Sequence, residues 1–87
     1  MKANMNETTI TQARRLFEAG CPDIRVSMAG HHIIFEPVTL GRLWDMAHKL
    51  GLEYEFPLEL TSIQLVESLV TAIEKHYRDE AAEHTPR

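Results

Sequence analysis

The side chains of this 87-residue chain best suited to hold a metal or move a proton are five histidines and one cysteine. His31 and His32 are neighbours, so on a strand they leave opposite faces and cannot chelate one ion together. A zinc site would need one of them to meet His48, His76 or Cys21 from elsewhere. Neither a His-Glu-x-x-His nor a Cys-x-x-Cys spacing occurs. Cys21 falls just after a predicted helix C-terminus, where the negative end of the helix dipole disfavours a thiolate. No Gly-x-Ser-x-Gly elbow frames a serine, and Gly30, Gly41 and Gly51 are isolated, so no loop is built to cradle phosphate. Glu53 and Glu55 alternate onto an expected solvent face, where nothing pairs them as acid and base. The expectation is a chain that is not an enzyme, with no cofactor and no metal.

Basic residues outline a second possibility. Arg14 and Arg15, with Arg25 further on, are the main basic concentration. Residues 40–51 space Ala47 and Gly51 as in the first helix of a helix-turn-helix. The alternative reading is therefore a nucleic-acid-binding regulator using residues 40–51 and Arg14/Arg15. The residues after Gly51 oppose it. A recognition helix there would carry Glu53, Glu55 and Glu59 towards phosphates and would be broken by Pro57. Nine basic against thirteen acidic residues give a net charge of −4, so any polyanion-binding surface would have to be local.

The elements that position these residues can be read from periodicity and caps. A first helix is predicted from about Thr9 to Ala19, with Thr8 or Thr9 as N-cap and Gly20 at the left-handed stop. Its apolar face holds Ile10, Ala13, Leu16 and Phe17. A hairpin comes next. Ile24, Val26 and Met28 alternate with Arg25 and Ser27, and residues 31–36 resume after Ala29-Gly30. A two-residue loop at Ala29-Gly30 would pair Val26 with Ile33 and Ile24 with Phe35. It would bury Ile24, Val26, Ile33 and Phe35 on one face and leave Arg25 and Glu36 outside. A three-residue loop with a bulge at Gly30 would slip this register and turn His32 and Ile34 inward.

Thr39 caps a second helix, closed by Gly51, whose inner face is Leu40, Leu43, Trp44, Met46, Ala47 and Leu50. Residues 52–56 alternate again as a third strand or an extended connector, with Pro57 favouring an edge. Thr61 and Gln64 form a capping box that opens the longest helix, running to about Arg78. The fold class is thus a small α+β domain of order α-β-β-α-(β)-α, an antiparallel hairpin or three-stranded sheet packed against helices. Residues 1–7 form a flexible lead-in, 8–78 the domain, and 79–87 a frayed tail.

The last helix carries two apolar seams. Ile63, Val66, Val70, Ile73 and Tyr77 make one; Leu65, Leu69, Ala72 and His76 make the other. Both could face inward. A domain this small has few elements to cover both, which favours a homodimer with Ile63, Val66, Leu69, Val70, Ile73 and Tyr77 at the contact. No stretch is apolar and long enough to span a bilayer. No apolar run succeeds Lys2 as a secretory leader would, so cytoplasmic residence is the expectation. These features point to a small acidic protein-binding module, accessory or inhibitor-like, with Arg25, His32, Ile34, Glu53 and Glu55 as its partner surface.

Overall fold

The structure is a computed structural model and describes residues 6–52 and 61–84. Three helices and a two-stranded antiparallel sheet succeed one another as α1 (Ile10–Ala19), β1 (Val26–Ala29), β2 (His32–Phe35), α2 (Leu40–Lys49) and α3 (Ser62–His84). This is the expected α+β class. The third strand expected at 52–56 falls largely on residues outside the described set.

Side-chain caps set the helix starts. Thr9 and Gln12 satisfy each other's backbone N–H groups at 3.1 and 2.9 Å, and Thr61 and Gln64 do the same for α3 at 3.2 and 3.1 Å. Thr39 accepts from the Arg42 N–H at 3.3 Å to open α2. Two Schellman motifs provide the stops. Gly20 adopts φ +102°, and Cys21 N–H donates back to the Leu16 carbonyl. Gly51 adopts φ +72°, and Leu52 N–H donates to the Ala47 carbonyl.

Helix α3 outruns its expected end near Arg78 and continues to His84. Lys75–Asp79 and His76–Glu80 pairs at i,i+4 support the turns after Lys75. At the other end, residues 6–8 are tied to the segment before α2. Thr8 and Val38 exchange two hydrogen bonds, Leu40 N–H donates to the Asn6 carbonyl, and Glu7 bridges Thr39.

The core lies between α3 and the other two helices. Leu16, Val38, Leu43, Leu69, Val70 and Ile73 are its largest fully buried side chains. The inner face of α2 is as expected, with Leu43, Met46 and Ala47 buried. Both seams of α3 turn inward: Val66, Val70 and Ile73 from the first are buried together with Leu69 from the second. Four of the six residues expected at a dimer contact, Val66, Leu69, Val70 and Ile73, are therefore interior. Tyr77 packs partly buried against the core, and Ile63 alone is exposed. The physical reason is that α1 and α2 flank α3 from two sides and bury the middle of both seams, while Leu65, Ala72 and His76 of the second stay half-buried.

The hairpin departs from its expected register. Val26 pairs with Phe35, Ser27 with Ile34, Met28 with Ile33 and Ala29 with His32. The loop is Gly30-His31, one residue later than expected. Gly30, at φ +63°, supplies the positive φ that a II′ turn needs at its first central position, which Ala29 would have adopted at a cost. The pairing is displaced by two residues, so each side chain keeps its predicted face. The expected burial is only partly realised. Ile24 is buried and Phe35 partly so, but Val26 and Ile33 are exposed.

Candidate interaction surface

The alternation of β1 and β2 gathers Val26, Met28, Ile33 and Phe35 on one face of the hairpin. Val26/Phe35 and Met28/Ile33 are non-hydrogen-bonded pairs, because the flanking Glu36 N–H donates to the Arg25 carbonyl at 3.0 Å and the ladder alternates from there. Side chains of such pairs approach closely, so the four form one strip. Phe35 meets Phe17 of α1 edge-on, with ring centroids 5.4 Å apart. Helix α1 covers the Phe35 end only. Towards the turn the strip opens to solvent, Val26 being 41% exposed, Ile33 53% and Met28 66%.

Phe17, expected on the buried face of α1, lies instead at its margin, 43% exposed. Between it and β2 runs a groove of about 400 Å³, floored by Phe17, Ile33 and Phe35 and rimmed by Arg14, Glu18, His31 and His32. Its rim charge is balanced, since Arg14 and Glu18 pair at 3.2 Å. An apolar floor with a neutral polar rim can take up apolar side chains of another molecule.

Of the expected partner surface, Arg25, His32 and Ile34 are exposed, and Glu53 and Glu55 lie outside the described residues. His32 lines the groove. Ile34 is on the opposite hairpin face, and Arg25 shares a separate hollow with Asp23, Arg42, Asp45 and Lys49. Periodicity alone assigns Phe17, Val26 and Ile33 of the larger apolar set to buried faces and places Met28 beside them. The signal that could have found it is arithmetic of layers: a hairpin with an apolar face needs a full-length cover, and a ten-residue helix shared with α3 is not one.

Arg14 and Arg15 have structural partners. Arg15 is not on a solvated face but forks from α1 to α3, donating to Glu67 at 3.0 and 3.2 Å and to Glu74 at 2.8 Å. Gln12 also reaches Glu67, at 2.8 Å, and Arg78 reaches Glu74, at 3.3 Å. Contacts that advance along both helices together show that α1 and α3 run parallel. The Glu74 hydrogen bond is the main influence raising the Arg15 pKa, against a burial penalty. Glu74 is lowered in return, chiefly by Arg15. Burial pushes the Glu67 carboxyl up, but hydrogen bonds from Thr71, Gln12 and Arg15 outweigh it and hold it below its usual range.

This network fastens two helices and occupies the guanidinium that the helix-turn-helix alternative would present to phosphate. The segment that would serve as recognition helix lies outside the described residues from Glu53 on. Cys21 is buried with its Sγ 3.9 Å from Met46 Sδ, and burial pushes its thiol pKa up. Among the described residues no three His, Cys, Asp or Glu side chains converge as a metal site. None of the described helices is long and apolar enough to cross a membrane. Comparison with protein-family models, curated proteins and solved structures found no match to this chain.

Proposed function

We propose that this chain is a non-enzymatic protein-binding module and that its contact face is the strip Val26–Met28–Ile33, continued through Phe35 to Phe17. The observation that carries the reading is the exposure of Val26, Met28 and Ile33 side by side on a hairpin face that α1 leaves open. Scattered exposed apolar residues are ordinary, whereas contiguous ones mark contact surfaces. Covering a half-exposed aliphatic side chain is worth about 1 kcal/mol, so three or four give a real but moderate affinity. Moderate affinity suits an accessory or inhibitor-like protein that engages and releases its target.

The test uses the full chain as bait in an extract of its native cells. Met28→Asp with Ile33→Asp is expected to release any protein that the parent chain retains, a loss of more than about tenfold in affinity. Lys75→Asp on the exposed side of α3 is expected to retain it. Undiminished capture by the double variant would remove the strip from consideration.

A further inference from the structure

We infer that the outer edge of β1, which no described element covers, pairs with the β1 edge of a second copy of this chain, joining two hairpins into a four-stranded antiparallel sheet. This goes beyond the protein-binding reading because it uses backbone groups rather than the side chains of the strip. The Glu36–Arg25 hydrogen bond and the register together fix the ladder: residues 25, 27 and 29 point their N–H and C=O groups at β2. Val26 and Met28 therefore point theirs outward. No hydrogen bond from a described residue reaches those groups. Nor does any other described element pack on β1; its contacts among the elements are with β2 alone.

Exposed edges are usually guarded by a charge, a proline or a bulge. The β1 sequence, Val-Ser-Met-Ala, has none of these. Among the described residues the hairpin has neither the third strand nor the full helical cover that gives such a unit stability of its own.

What selects a second copy is self-complementarity about Ser27. With a two-fold axis at that residue, Val26 stands opposite the partner's Met28 and Met28 opposite the partner's Val26. These are the outward-pointing positions, so about four backbone hydrogen bonds form. Ser27 meets the partner's Ser27 as a close non-hydrogen-bonded pair, and Arg25 stands opposite the partner's Ala29. No like charges face each other, and the contact is isologous and closed. The apolar strips of the two copies then run on as one surface across the axis.

Ser27 is the position to probe, because its side chain leaves the face opposite the strip. In such a pair the Cα atoms lie about 4.5 Å apart, within disulfide range. Ser27→Cys is expected to give a covalent dimer of about twice 10.0 kDa on mild oxidation, and Thr11→Cys on exposed α1 is not. The native Cys21 is buried and does not compete. Ser27→Asp and Ser27→Lys should each sediment as monomers at about 100 µM, where like charges oppose across the axis, while their equimolar mixture should dimerise. A parent chain that stays monomeric at that concentration, or a Ser27→Asp variant that still dimerises, overturns the inference. Phe17, Val26, Met28 and Ile33 are unchanged in these variants, so retention of a captured protein by Ser27→Asp tests the strip separately.

Discussion

Replacing Leu69 by glutamate is expected to unfold this chain, and Val70→Glu is expected to do the same. Both side chains are fully buried, one from each seam of α3. Trimming Leu69 to alanine alone should cost about 2–5 kcal/mol, from lost transfer energy and the cavity left behind. A domain of this kind has about 5–15 kcal/mol in total, and small domains fall at the low end. Glutamate adds the burial of a carboxyl group with no partner, which is a further several-fold weakening at least. Ile63→Glu, by contrast, alters an exposed position and should leave the fold intact. Circular dichroism and thermal melts separate these cases. A folded monomer from either the Leu69 or the Val70 variant would place that seam on a surface and contradict a core packed between α3 and its two neighbouring helices.

Acid should weaken the α1–α3 junction, and the weakening should depend on Arg15. Glu67 and Glu74 have folded-state pKa values below their usual range, so they stabilise the fold above that range. That contribution is lost as pH falls through the folded values, in the region below about pH 4. Arg15 is raised, so its contribution is present at every pH below its ordinary value and does not vary across this window. The Glu67 side chain is 48% exposed and Arg15 32%, which screens their attraction; Glu74, at 16%, is the stronger partner. Arg15→Ala should therefore cost about 1–2 kcal/mol at neutral pH. Arg15→Lys should recover only part of that, because an ammonium cannot fork between two carboxylates. Urea midpoints at pH 7 and pH 3 test both statements. The parent chain should lose more stability between the two than Arg15→Ala does, and equal losses would mean that the network contributes nothing.

Caps and periodicity made most of the helical fold legible. Thr61-Gln64 announces one start and Thr8 or Thr9 another, with Thr9 and its Gln12 partner decided only by the structure; Gly20 and Gly51 announce two stops, and the inner face of α2 emerges from its spacing alone. The faces of the hairpin were legible too, because a two-residue shift in register preserves them. The pairing itself was not, since it turned on whether Ala29 or Gly30 took the positive φ. Less legible still was what covers each face. Alternation says that Val26, Met28, Ile33 and Phe35 lie together, but not that α1 ends its cover at Phe35. The same gap explains α3. Its two seams read equally well as core or as contact, and only the parallel packing of α1, with Arg15 reaching Glu67 and Glu74, resolves them inward. The consequence is a transfer of the open apolar surface from the long helix to the hairpin.

Site-specific photo-crosslinking tests that transfer most directly, by comparing Ile33 on the hairpin with Ile63 on α3. The two are alike in side chain and nearly alike in exposure, at 53% and 58%. They sit on the two surfaces that compete for the contact. With a photoreactive residue at each position in turn, position 33 is predicted to yield adducts with another protein and position 63 to yield none. Adducts from position 63 with none from position 33 would contradict a hairpin contact and return the interface to α3.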